Sequence, residues 1–200
     1  MKSAVSPIHR LFSACLLFTS LMSTNSSYAN DELWQQLQAG GKVVLMRHAP
    51  VMKGADHGNP LLRDASCKKE RNLSKQGRLD AKTLGNRFKS KKIPLSNVLH
   101  SPYCRTTDTA RIAFGKADPA PYLSLSKALT SDEADTQSEQ LAQIIGTYTG
   151  KGNLVLISHE PNIRAISFET LKHLDFVVLQ PMGDDEFEEL GVIRFADQIE

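Results

Sequence analysis

The chain has little cysteine: only Cys15, Cys67 and Cys104, none of them in a C-x-x-C pair. No H-E-x-x-H run occurs either, so no metal-type spacing of Cys or His is present. There is no internal repeat and no low-complexity linker, which leaves a single domain as the expectation. A clustered excess of Lys and Arg is also missing. The formal net charge is only +2, and the basic run Lys89-Ser90-Lys91-Lys92 reads as a solvated helix end favoured by the helix dipole. That excludes a nucleic-acid footprint. No acid precedes Asp31, and the apolar run Leu11 to Met22 is too short to span a bilayer as a mature helix.

What the N-terminus does carry is the pattern of an export signal. Lys2 and Arg10 flank the start, Leu11 to Met22 is an apolar stretch of signal-peptide length, and Ser27-Tyr28-Ala29 is a small-x-small cleavage site. A short N-terminal core helix and a lipoprotein anchored at Cys15 are the alternatives. Against the second, Phe12 stands where a lipobox wants Leu, and most of the apolar run follows Cys15. The expected division is a signal peptide over residues 1–29 and one domain over 30–200, long enough for a real core. Cleavage removes two cations and no acid, so the mature net charge falls from +2 to zero. The expected destination is the periplasm of a Gram-negative bacterium, with no stable membrane insertion after cleavage. Cys67 and Cys104 remain, and an even pair in an oxidising compartment points to a disulfide, the alternative being two separate thiols.

Along the domain, Asp31 to Ala39 reads as a helix stopped by Gly40-Gly41, and Lys42 to Met46 as a buried strand. Pro50 to Arg71, rich in Gly, Pro, Asp and Asn, is a long loop of the kind that is often functional. Ser74 caps a helix running to about Lys89, with Leu79, Leu84 and Phe88 on its inner side. Val98 to His100 is a strand, Thr106 to Phe114 a helix closed by Gly115, and Tyr122 to Leu125 a further strand. A helix over Ser138 to Tyr148, a strand over Asn153 to Ile157 and a helix opened by Pro161 through about Leu171 follow. Phe176 to Leu179 and Val192 to Phe195 close the pattern as strands. Alternating strands and helices predict an α/β fold: a three-layer α/β/α sandwich with a mostly parallel central sheet.

Three of the apolar strands end alike. Val43 to Met46 runs into Arg47-His48-Ala49-Pro50, Val98 to Pro102 into Tyr103-Cys104-Arg105-Thr106, and Leu154 to Ser158 into His159-Glu160-Pro161-Asn162. In a parallel α/β sheet, ligands bind beyond the carboxyl ends of the strands. These turns therefore deliver two arginines and two histidines to one place, where following helix N-termini aim backbone N–H groups that suit an anion. Guanidinium forks match phosphate oxygens bidentately. A histidine inside such a cradle can accept the phosphoryl group covalently, and a second can stabilise the charge that develops on it.

Arg47-His48-Ala49, the run S-P-x-x-R-x-x-x-T-A at Ser101 to Ala110, and Ser158-His159-Glu160 together resemble the motifs of the histidine phosphatase superfamily, also called phosphoglycerate mutase-like. Leu73-Ser74-Lys75-Gln76-Gly77 resembles that family's L-[ST]-x-x-G element. The matches run in order from about Lys42 to Ile166. The resemblance implies the phosphoglycerate mutase-like fold and a phosphoric monoester hydrolase that needs no metal and no cofactor. His48 is then the nucleophile, with Arg47, Arg105 and His159 around the phosphate. The short chain and its leader look most like a small exported branch that includes the lipopolysaccharide-core heptose phosphatase. Expected substrates are a small phosphorylated molecule or a phosphorylated glycan. A phosphohistidine phosphatase, a phosphoryl mutase and a non-catalytic phospho-glycan binding module are the competing readings. The oligomeric state is left open.

The chain departs from the family pattern in three ways. Ala49 follows the nucleophile where Gly is usual, and no second Arg continues the first motif, which argues against a phytate-like substrate. The proton donor expected after the third strand is not clear, with Asp132 first and Glu133 and Asp135 close behind, and a solvated group of acids as the bland reading. Asp56, His57 and Asn59 could line the mouth of the site. Asn162 reads equally as a helix-start hydrogen bonder or a ligand contact. Gly183-Asp184-Asp185-Glu186 reads as a solvated turn, and His100 and His173 as packing or surface residues.

Overall fold

The computed structural model describes residues 24–198. The expected leader apolar run and Cys15 lie outside them. The first helix, α1 (Thr24–Ala39), begins before the predicted Asp31 and takes in Ser27 to Ala29. Gly40 and Gly41, both at positive φ, end it and turn the chain into β1 (Val43–Arg47). After the long loop come α2 (Lys75–Ser90), β2 (Leu95–His100), α3 (Cys104–Phe114) and the two-residue strand β3 (Asp118–Pro119). Two 3₁₀ turns, Pro121–Leu123 and Ser126–Ala128, lead to α4 (Ser131–Gly146). The chain closes with β4 (Asn153–Ser158), α5 (Glu160–Ser167), β5 (Phe176–Gly183) and β6 (Glu186–Ile193).

The six strands form one sheet in the order β3-β2-β4-β1-β5-β6. β1, β2, β3 and β4 are mutually parallel where they pair, and β5 and β6 add antiparallel as a hairpin. The sheet is thus mixed: parallel through its working half and antiparallel at one edge. β1 lies centrally, and all four of its apolar residues are fully buried. Side chains alternate across it. Val44 and Met46 join Trp34, Leu37, Leu84, Phe88 and Phe176 beneath α1, α2 and α3, while Val43 and Leu45 join Leu141, Ile145 and Ile163 beneath α4 and α5. Each such side chain removed from water contributes about 1.5–3 kcal/mol, so both faces must be covered for the sheet to persist.

Several elements differ from expectation. Tyr122 to Leu125 is not a strand. Pro121 has no N–H to donate, Leu123 N–H bonds to Ala120 O (3.0 Å) and Ser124 N–H to Pro121 O (2.9 Å), and the free edge of β2 is taken by Asp118–Pro119 instead. α4 starts seven residues before Ser138 because Thr130 and Glu133 form a reciprocal capping box. α5 stops at Ser167, with Phe168 in the left-handed region at φ 58°. The hairpin Asp184-Asp185 is the solvated turn expected. α2 is capped as predicted, Ser74 Oγ accepting from Gly77 N–H at 2.9 Å. A Cβ at Gly77 would run into the Pro50 carbonyl, so glycine lets α2 seat against the turn that follows His48.

Candidate active site

Parallel pairing puts the carboxyl ends of β1, β4 and β2 side by side, with Arg47 level with Ser158 and His100 level with Ile157. The four residues singled out by motif come together there. Arg47, His48, Arg105 and His159 line one cavity of about 290 Å³. The ring centroids of His48 and His159 are 5.4 Å apart.

His48 is buried, and its Nδ1 lies 2.8 Å from Ala49 O. A carbonyl can only accept, so Nδ1 carries the proton and Nε2 keeps a free lone pair. Burial, and then the proximity of His159, Arg105 and His173, hold its pKa well below the ordinary imidazole value, so the ring is neutral at pH 7. His159 is neutral for the same reasons, burial first and then Arg105 and Arg47. Its Nδ1 accepts from Arg105 Nη2 at 3.3 Å, which makes Nε2 the donor to Ser101 Oγ at 2.8 Å.

The arginines are held by backbone carbonyls. Arg47 Nη1 donates to Leu171 O (2.6 Å) and Arg105 Nη2 to Pro60 O (3.1 Å). Arg47 Nε and Arg105 Nη1 are buried without an acceptor. Unpaired buried guanidinium donors are costly, and these two leave each guanidinium with hydrogen-bonding capacity that the protein does not use.

The N-terminus of α3 and the turn after His48 contribute less than expected. Cys104 N–H, the first amide of α3, is taken by Glu70 Oε2 at 2.7 Å, and Ala49 N–H by Thr109 Oγ1 at 3.0 Å. Glu70 is a buried carboxylate whose other oxygen accepts from Asp64 N–H (2.9 Å) and pairs with Arg63 (3.4 Å). Asp64 in turn organises the turn before it through Ser66 and Lys69 N–H. The Lys69 amide first, then Ser66, pull its carboxyl down to about 2. The Cys67–Cys104 disulfide, with Cα atoms 5.8 Å apart, adds a covalent tie from this loop to the residue before Arg105. The loop is thus built onto the start of α3, and it delivers Pro60, Leu61 and Arg71 to the cavity wall. Asp56, His57 and Asn59 are not among the lining residues; Asn59 Oδ1 accepts from Leu61 N–H instead.

The acids considered as proton donors are elsewhere. Asp132, Glu133 and Asp135 are exposed on the first turns of α4 and not on a loop, and Asp132 and Glu133 border a different depression with Tyr122 and Gln140. Glu133 is occupied by the Thr130 cap. Asn162 neither caps its own helix nor reaches the cavity: it bonds Ser124 O (2.6 Å) and Ser126 N–H (3.1 Å), fixing the segment that carries Leu125 and Lys127 to the rim. Residues unassigned from sequence but present on the wall are Arg71, Lys127, Glu160 and His173. His173, expected to pack or face solvent, has its ring centroid 5.1 Å from that of His48. No spacing signal points to it, since it lies 125 residues further along the chain. Among the described residues no group of three or more His, Cys, Asp or Glu is placed to hold a metal ion.

Known proteins share this fold. Among solved structures the fold is similar to that of the protein histidine phosphatase SixA complexed with tungstate, at 18% identity over 78% of this chain and 98% of that chain (TM-score 0.57). It is also similar to a mutant phosphoserine phosphatase from Entamoeba histolytica in complex with phosphoserine, at 11% identity over 80% and 99% (TM-score 0.56). A third likeness is to Rv3214 from Mycobacterium tuberculosis, at 13% identity over 74% and 95% (TM-score 0.56). At these identities the likeness is one of fold. No curated protein sequence matches the chain. The profile described as histidine phosphatase superfamily (branch 1) matches residues 43–128, from the start of β1 through the turn that bears Lys127. With its motifs gathered at the parallel strand ends, the chain matches the histidine phosphatase superfamily in sequence over residues 43–128 and resembles the structures above in fold.

Proposed function

We propose that the protein is a periplasmic, metal-independent phosphomonoesterase that works through a phosphohistidine at His48. The observation that carries this reading is the gathering of a neutral His48, with Nε2 unprotonated, and two arginines, Arg47 and Arg105, that retain unused donors on the wall of one cavity. An arriving phosphate is held by the two guanidinium groups. Nε2 displaces the leaving oxygen, forming an N–P bond as the O–P bond breaks, and water later cleaves the N–P bond to regenerate His48. The anion also competes with His159 for Arg105 and favours imidazolium, which lets His159 Nδ1–H stabilise the phosphoryl oxygens. The outer cations Arg71 and Lys127 suit a substrate with further anionic groups, such as a phosphorylated glycan of the kind the heptose phosphatase branch handles. The leader-like N-terminus supports export, and the disulfide suits an oxidising compartment.

The test combines trapping with mutation. Rapid quench of the protein with an aryl phosphate in EDTA is expected to give an acid-labile, base-stable phosphoramidate on His48. His48→Ala should lose turnover by several orders of magnitude while retaining vanadate binding. A trapped phosphate on Ser, Cys or Asp, or full loss of activity on chelation with recovery on adding a divalent metal, would overturn the mechanism.

A second reading is favoured by one observation, the absence of Asp132, Glu133 and Asp135 from the cavity. If no group protonates the leaving atom, the substrate must carry a good leaving group, as phosphohistidine does.

A further inference from the structure

His173 arrives on a turn that is bolted to the nucleophile's strand. Leu171 O accepts from Arg47 Nη1 (2.6 Å), Leu174 N–H donates to Arg47 O (3.2 Å) and Asp175 O accepts from Arg47 N–H (3.1 Å). Asp175 is buried. Its carboxylate accepts from Lys172 N–H (2.9 Å), Phe195 N–H (2.9 Å) and Arg194 Nη1 (3.2 Å), tying the turn to itself and to the segment after β6. Leu174, fully buried, is held at φ 65°, a left-handed conformation that costs a bulky residue on the order of 1–3 kcal/mol. Strain of that kind persists only where the surroundings over-determine it, and here its result is the placement of one side chain. His173 Nδ1 lies 3.0 Å from His48 O, so Nδ1–H donates and Nε2 is the nitrogen left for the cavity that the ring lines.

Resting on the phosphatase reading, we propose that His173 Nε2 is the proton donor to the leaving oxygen and, in the second half-reaction, the base that takes a proton from the attacking water. In the first step His48 Nε2 bonds to phosphorus, the P–O bond to the alcohol breaks, and the proton on His173 Nε2 passes to the departing oxygen. In the second step water bonds to phosphorus, the N–P bond breaks, and the proton from water returns to His173. The proton for the first step enters with the substrate, because a phosphomonoester has its second ionisation near pH 6. Burial first, then Arg47 and more weakly Arg105, hold the His173 pKa below the ordinary imidazole value against the His48 carbonyl and Asp175, and His48, His159, Glu160, Arg71 and Lys127 share the cavity. A bound dianion offsets the surrounding cations and makes the protonated ring accessible. Of the carboxylates named here, Glu160 alone lines the cavity, so it is the rival donor.

Leaving-group dependence separates these possibilities. The substrates are 4-nitrophenyl phosphate, whose phenolate departs unaided, and glycerol 2-phosphate, whose alkoxide does not. Wild type should hydrolyse both. His173→Asn keeps an amide donor for the His48 carbonyl but has no Nε2. It should lose about 10²–10⁴-fold in kcat on the alkyl ester, less than about tenfold on the aryl ester, and hold vanadate within about threefold. The aryl rate also reports that the variant is folded. Equal losses on both esters, an Asn variant that recovers what His173→Ala loses, or a wild type blind to the alkyl ester would each overturn the proposal. So would Glu160→Gln showing the leaving-group discrimination in its place. A wild type that turns over neither ester refutes the phosphatase reading itself, and this proposal with it.

Discussion

Arg105 illustrates how a side chain in this site is divided between structure and chemistry. Nη2 is committed to Pro60 O and His159 Nδ1, Nη1 is uncommitted and buried, and the guanidinium sits 4.4 Å from the centre of the Tyr103 ring. Only a planar fork can do all three, because an ammonium offers a point charge and no fixed plane. Arg105→Ala is therefore expected to weaken orthovanadate binding and lower kcat together. Arg105→Lys should recover less than about a tenth of the lost kcat/KM, since its single nitrogen must choose between the loop and the anion. Steady-state kinetics with a vanadate titration checks this, and a lysine variant close to wild type would show that charge alone suffices. The motif made Arg105 visible in the sequence, but its division of labour depends on Pro60 and His159, which approach from 45 and 54 residues away.

At the scale of elements, the long loop after β1 is the part that sequence described least. Its composition marked it as a loop and its length as functional, yet nothing in Pro50 to Arg71 announced that Glu70 would be buried as a cap for α3. The loop has two independent anchors, the Glu70 hydrogen bonds and the Cys67–Cys104 bridge. Removing the bridge, by Cys67→Ser with Cys104→Ser or by reductant, is expected to cost about 2–4 kcal/mol. At about 2–4 °C per kcal/mol, Tm should fall by roughly 5–15 °C. The catalytic rate should move by less than about threefold, because Glu70 still seats the loop against Cys104 N–H. Thermal scans with and without reductant decide it, and a Tm indifferent to reductant would mean that the bridge contributes nothing. A similar lesson holds for α4. The acids read as a loop belong to its first turns because Thr130 and Glu133 cap it, which removes them from the cavity.

For the molecule as a whole, concentrating neutral histidines in a cationic site makes stability depend on pH. Burial first, then neighbouring positive groups, lowers the pKa of both His48 and His159 in the folded state. The unfolded chain, with ordinary imidazoles near 6.5, therefore binds more protons below that pH. Their contribution is complete above about pH 6.5 and is lost as pH falls from there toward the folded values. Each unmatched proton costs up to about 1.4 kcal/mol per pH unit. Denaturant unfolding at pH 6.5 and 5.5 should show a loss of up to about 2 kcal/mol, about 1 from each ring, before most carboxylates titrate. A flat profile over that interval would mean that these rings are already charged when folded.

Sequence by itself determined the strands whose both faces are buried, the α2 cap at Ser74, the alternation that makes an α/β sheet, and the four side chains at the parallel strand ends. Those are local facts: periodicity, capping and strand-end position are written within a few residues of one another. Tertiary structure alone decided what faces those side chains. The antiparallel β5–β6 edge, the loss of the α3 amide to Glu70, the removal of Asp132, Glu133 and Asp135 to another surface, and the arrival of His173 beside His48 all depend on contacts between distant segments. Hydrogen-bond satisfaction settles such contacts only once the chain is folded, because a buried carboxylate or a strained turn is stable solely where distant donors meet it. Asp175 shows this, its carboxylate holding the His173 turn through bonds from Phe195 and Arg194 at the far end of the domain.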